Sequence, residues 1–136
     1  MPWDAAQVLV LEDESVVGEV LVRILGRLAE RIDVAPTMAA ARALLAAGRR
    51  YHLLLVDKNL PDGSGIDFVR EALVVDPGSL AIVVTAYPST ESLAAAIGAG
   101  AWGYLTKPFR RIDTVTEEIR AANERRARGE PPVMPA

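Results

Sequence analysis

Three carboxylates, a hydroxyl and an ammonium stand directly behind short apolar runs of this 136-residue chain. VLVL at 8–11 leads into Glu12 and Asp13, LLLV at 53–56 into Asp57, AIVV at 81–84 into Thr85, and YL at 104–105 into Thr106 and Lys107. One polar residue behind an apolar run means little, but four such junctions are hard to explain as loop decoration. Two carboxylates ~4 Å apart repel by ~1 kcal/mol in water and by ~4 kcal/mol at an effective dielectric near 20. Three gathered in one pocket therefore need a proton or a cation among them. Oxygen donors without His or Cys nearby suit a hard ion, Mg²⁺ first and Mn²⁺ second. An anionic group entering the same pocket meets that ion, Lys107 and the hydroxyl of Thr85. Asp57 would then be a built-in nucleophile for phosphoryl chemistry.

The elements between these junctions must bring them together. Val16, Val17, Val20, Leu21, Ile24, Leu25 and Leu28 mark one helical stripe over residues 16–28. A weaker strand follows over 32–35, with Asp33 inside it. Thr37 is set to cap an alanine-rich helix that Gly48 closes. The segment PDGSG at 61–65 reads as a loop, and Ile66, Val69 and Leu73 as a third helix ending near Pro77-Gly78. Ser89 is placed to cap a fourth helix carrying Leu93, Ala96 and Ile97. Ile112, Val115, Ile119 and Ala122 form the stripe of a fifth. Strands apolar throughout, rather than at alternate positions, are covered on both faces. Their alternation with helices implies right-handed crossovers and a parallel sheet, so every strand's carboxyl end lies along one edge. Ligands of such folds bind where the strand order reverses.

Composition narrows the function. The chain is 51% hydrophobic and 24% charged, with net charge −3 and no long basic block. A nonspecific grip on nucleic acid or a polybasic membrane anchor would need a positive surface. No cysteine is present, which excludes disulfides and thiolate chemistry. The N-terminus turns acidic within a few residues, unlike a signal peptide. The apolar stretch 93–105 is broken by Gly98, Gly100 and Gly103 and falls short of the ~18 residues that a membrane span needs. A cytoplasmic protein is expected, with one domain over residues 1–128 and a disordered Pro-rich tail over 129–136.

The segments VLVLEDE, LLLVDKNLPDGSG, AIVVTAY and GYLTKPF resemble, in order and spacing, the signatures of response-regulator receiver domains. The resemblance covers about residues 7–125. It implies a flavodoxin-like (βα)5 fold, a doubly wound five-stranded parallel sheet of order 2-1-3-4-5. It also implies roles. Asp57 matches the phospho-acceptor, Asp13 a direct metal ligand, Glu12 its acidic neighbour, and Asn59 the residue whose backbone carbonyl binds the metal. Thr85 matches the switch hydroxyl, Lys107 the lysine on a phosphoryl oxygen, and Tyr104 the aromatic switch that turns inward. Asn59, Ala86 and Tyr87 match positions that tune the lifetime of the phosphate, and the bond before Pro108 is often cis in the family. Implied partners are a sensor histidine kinase or phosphotransfer protein and a downstream protein target or output domain. The implied readout and dimerisation surface is the fourth helix, fifth strand and fifth helix. No direct contact with nucleic acid or membrane is expected. The implied function is a two-component signalling switch that catalyses only its own phosphorylation and dephosphorylation. The acidic pair is Glu-Asp here, where Asp-Asp is also common.

Two other functions compete. A haloacid-dehalogenase-type phosphatase also uses an Asp nucleophile, but it places an Asp two residues later as general acid. Here that position is Asn59, which has no such proton to give. A binding module that works without phosphorylation would keep the fold and leave these site residues unused. His52, the only histidine, starts its strand at the opposite edge, so a phosphohistidine relay within the chain is not expected. Asp62-Gly63 reads as a turn, Thr106 as a strand residue, Trp3 and Trp102 as packing or surface anchors, and the arginines ending the last helix as solvated charge.

Overall fold

The computed structural model describes residues 6–109 and 111–130, so Trp3 and residues 131–136 of the expected tail lie outside the described residues. The chain runs β1 (Ala6–Leu11), α1 (Ser15–Leu25), β2 (Ala29–Ala35), α2 (Met38–Ala46), β3 (Leu53–Asp57), β4 (Asn59–Leu60), β5 (Gly63–Ser64), α3 (Gly65–Val75), β6 (Leu80–Thr85), α4 (Thr90–Gly98), β7 (Gly103–Thr106) and α5 (Ile112–Ala127). Five strands form a parallel sheet of order β2-β1-β3-β6-β7, the expected 2-1-3-4-5 when main-sheet strands alone are counted. The remaining two, β4 and β5, form a small antiparallel hairpin inside the segment expected to be a loop.

Both faces of the sheet are buried, and the side-chain period of a strand divides them. Leu9, Leu11, Leu54, Val56, Ala81 and Val83 meet Met38 and Ala41 of α2, Phe68 and Val69 of α3, and Ala96 of α4. Val8, Val10, Leu53, Leu55, Ile82 and Val84 meet Leu21 and Leu25 of α1 and Val115, Ile119 and Ala122 of α5. This is why the strands read as unbroken apolar runs.

The caps follow the sequence closely. Thr37 accepts from the amide of Ala40, and Ser89 and Ser92 form a reciprocal capping box at α4. Asp33 is tolerated inside β2 because its carboxylate accepts from the Tyr51 hydroxyl at 2.7 Å and from Arg31 at 3.1 Å. Asp62 does more than turn the chain: its carboxylate accepts from the amides of Met38 and Ala39 at 2.9 and 3.0 Å, capping α2 from the hairpin. At the other end, α5 closes on Gly129 (φ 68°). There the Gly129 amide donates to Arg126 and the Glu130 amide to Arg125, an arrangement that satisfies the last carbonyls.

Candidate functional site

The sheet order reverses between β1 and β3, and register fixes what meets there. Leu11 pairs with Val56, so Glu12, one residue past β1, lies level with Asp57 at the end of β3. Asp57 pairs with Val84, which sets Thr85 one residue further along β6. Thr85 in turn pairs with Thr106, so Lys107 follows at the same edge.

Side chains complete the pocket. Lys107 Nζ lies 2.7 Å from Glu12 Oε1, 3.1 Å from Asp57 Oδ2 and 3.3 Å from Glu14 Oε1. Glu12 and Asp57 are buried, whereas Asp13 and Glu14 are exposed at the mouth. Carboxylate oxygens of Glu12, Asp13, Glu14 and Asp57 all lie within 4.8 Å of one another. Asp57 Oδ1 accepts from the Asn59 amide at 3.1 Å, and Glu12 Oε2 from the Glu14 amide at 3.3 Å. Glu12 Oε1 is buried without a directed hydrogen bond, despite its closeness to the ammonium.

The electrostatics match this crowding. Burial and the neighbouring Asp57 carboxylate push Glu12 up to about 7, against the opposing pull of Lys107. Burial works against the Lys107 charge, but the Glu12 and Asp57 carboxylates outweigh it and raise the ammonium above its ordinary value. Four carboxylates against one lysine leave excess negative charge. Hard oxygen donors this close suit a divalent ion such as Mg²⁺, with the Glu12 carboxylate as part of the donor set.

The structure thus brings Glu12, Asp13, Asp57 and Lys107 into one pocket, with the Asn59 amide on the Asp57 carboxylate. Thr85 is fully buried at the end of β6, and its hydroxyl accepts from the Tyr87 amide at 3.0 Å. Ala86 and Tyr87 follow it, both exposed. Tyr104 lies on β7, two residues before its end. Its ring packs against the core on the α4 side, and its hydroxyl bonds that of Ser92 at 2.5 Å. The Lys107–Pro108 bond is cis.

Sequence reasoning missed Glu14, which joins Lys107 from the first residue before α1. Its place in the EDE triplet was the available signal. It also misread one end of α5. Arg125 is largely buried and donates to the Trp102 carbonyl at 2.8 Å and to Glu118 at 3.3 Å, while Glu118 accepts from the Tyr104 amide at 3.1 Å. Arg126 donates to the Gly78 carbonyl at 2.9 Å. These charges tie α5 to β7 and to the loop before β6, rather than standing free in water.

Comparison with known proteins places the same residues in context. The profile of the response regulator receiver domain matches residues 8–120. The response regulator protein PilR of Pseudomonas aeruginosa is 34% identical over 139 aligned residues, covering 94% of this chain but 31% of that protein. The chain spans about half of the length of other curated relatives that it matches, among them transcriptional regulators. A CheY-like receiver domain protein from Methanospirillum hungatei superposes with a TM-score of 0.80 at 26% identity, over 93% of this chain and all of that one. A response regulator from Burkholderia pseudomallei, solved with a phosphorylated aspartic acid and a calcium ion, superposes with a TM-score of 0.77 at 26% identity, over 91% of this chain and 72% of that one.

Proposed function

The chain belongs to the response-regulator receiver family of two-component signalling, and on that premise we propose that it is a phosphorylation switch whose acceptor is Asp57. The observation that carries this reading is the placement of Lys107 Nζ between the buried carboxylates of Glu12 and Asp57. A nucleophile held beside a fixed ammonium and an acidic cation site is what in-line phosphoryl transfer requires.

The donor is a phosphohistidine on a sensor kinase or phosphotransfer protein. A carboxylate oxygen of Asp57 attacks phosphorus as the P–N bond breaks. The imidazole leaves with the electron pair and takes its proton from solvent. Lys107 leaves its carboxylate partners for a phosphoryl oxygen, and the Thr85 hydroxyl turns to another. The amide of Asn59 holds the Asp57 carboxylate in place. Glu12, Asp13 and Asp57 would hold Mg²⁺ or Mn²⁺ together with the Asn59 carbonyl; when bound, the ion neutralises charge on the transferring group. Asn59, Ala86 and Tyr87 border the acyl phosphate and set how readily water reaches it.

The phosphorylated state is read on the face formed by α4, β7 and α5, with Tyr104 reporting it. That face serves a protein target, an output domain or a second receiver. The domain, residues 1–128, acts in the cytoplasm. Among the described residues, no helix is long and apolar enough to cross a membrane.

Incubation with acetyl phosphate and Mg²⁺, followed by intact mass measurement, tests the proposal. The wild-type protein gains the mass of one phosphoryl group, and Asp57→Asn gains none. Equal labelling of the two proteins overturns the assignment.

A further inference from the structure

The segment between the phosphoryl site and α4 is tied down at both ends by side chains. At its start, the buried Thr85 hydroxyl accepts from the Tyr87 amide at 3.0 Å. At its end, Ser89 and Ser92 cap α4 reciprocally: Ser89 Oγ accepts from the Ser92 amide at 3.0 Å, and Ser92 Oγ accepts from the Ser89 amide at 3.3 Å. Residues 86–91 are all exposed, so little apolar burial fixes them and these bonds hold the segment in place. Ser92 itself is buried, and its hydroxyl also bonds that of Tyr104 across on β7. The Tyr104 amide in turn donates to Glu118 of α5.

We propose that Ser92 is a positioning residue that couples the segment after Thr85 to Tyr104, so that phosphorylation at Asp57 reaches β7 through the α4 capping box. The inference rests on the receiver reading above and adds a residue to it. A phosphoryl group on Asp57 offers the Thr85 hydroxyl a charged acceptor. A reoriented Thr85 releases the Tyr87 amide, and the exposed segment shifts. Its far end is the capping box, whose Ser92 hydroxyl carries that shift to the hydroxyl of Tyr104. A side chain that merely capped α4 would need only the bonds to Ser89. The bond to Tyr104 spans 12 residues of sequence and joins two elements that flank the same face. Such coupling needs an element with two arrangements that both sites bias, and the exposed 86–91 segment, held by side-chain bonds at its two ends, is the element to which the proposal assigns them.

The test is the backbone amide signal of residue 104 in ¹⁵N-labelled full-length protein, recorded with Mg²⁺ before and after acetyl phosphate, with intact mass measured on the same samples. In wild type the signal shifts on phosphorylation. In Ser92→Ala the mass gain persists but the shift collapses. Tyr104→Phe, which removes only the hydroxyl and leaves the capping box whole, gives the same uncoupling. Ser92→Thr, which keeps a hydroxyl, restores the shift. If Ser92→Ala and Tyr104→Phe gain the mass and shift as wild type does, or if phosphorylated wild type shows no shift, the coupling role is lost while the receiver reading stands. If wild type gains no mass, the receiver reading fails instead.

Discussion

A Cβ placed on Gly65 would sit 1.9 Å from the carbonyl oxygen of Asp57 and 2.7 Å from a methyl of Val56. The first residue of α3 therefore rides directly against the end of β3, and its amide donates to the Lys58 carbonyl at 2.8 Å. Nothing flexible lies in the way, since the nearest atom is backbone. Gly65→Ala must push α3 away from the end of β3. Overpacking of this kind costs typically 1–3 kcal/mol, and a backbone clash belongs at the upper end, about 3 kcal/mol. Urea unfolding should show that loss, and residual folded protein should be phosphorylated more slowly because Asp57 is displaced.

Lys107 is the one cation in contact with the buried carboxylates among the described residues. Its replacement by Ala removes the ammonium that would meet the phosphoryl oxygens while leaving Asp57 in place. Loss of one fixed donor of this kind costs on the order of 100-fold or more in rate. Phosphorylation of Lys107→Ala by acetyl phosphate, followed by mass, should slow by about that factor. A rate within about threefold of wild type would place the lysine outside the reaction.

Divalent metal should stabilise the fold, because four carboxylates crowd one pocket with a single lysine to balance them. At a free Mg²⁺ concentration of 100 times its dissociation constant the gain is about 2.7 kcal/mol, and chelation removes it. Asp13→Asn takes away an exposed ligand without disturbing the core, so its melting temperature should lie close to that of wild type in EDTA and rise much less with Mg²⁺. An equal metal-induced rise in both proteins argues against Asp13 as a ligand.

Asp62 gives the clearest acid dependence away from the pocket. The amides of Met38 and Ala39 hold its carboxyl below the usual carboxylate value of 3.8. A lowered pKa in the folded state means that the unfolded chain binds the proton more readily. The stabilisation is therefore fully present above 3.8 and disappears as pH falls through the folded value. Asp62→Asn should be less stable than wild type near neutral pH, with the gap narrowing in acid. Urea midpoints measured between about pH 6 and pH 2 would check this; a gap independent of pH would assign the cap to shape rather than charge.

The alternation of strands and helices and the convergence of Glu12, Asp13, Asp57, Thr85 and Lys107 at one edge were legible in the residues themselves, whereas the spatial order of the strands came only from the family resemblance. The reason is physical. Runs apolar at every position require cover on both faces, cover of that kind imposes parallel crossovers, and parallel strands align their carboxyl ends. Periodicity also revealed the caps at Thr37 and Ser89, because capping is local. The tertiary structure alone decided which side chains meet across long stretches of chain: Glu14 with Lys107, Asp62 with the start of α2, Tyr51 with Asp33, and Ser92 with Tyr104. It also turned Arg125 and Arg126 of α5 toward the carbonyls of Trp102 and Gly78. Apolar patterning specifies which face of an element is buried. It does not specify which polar group of one element reaches which of another, because that depends on register, helix rotation and loop path, set only when the layers pack.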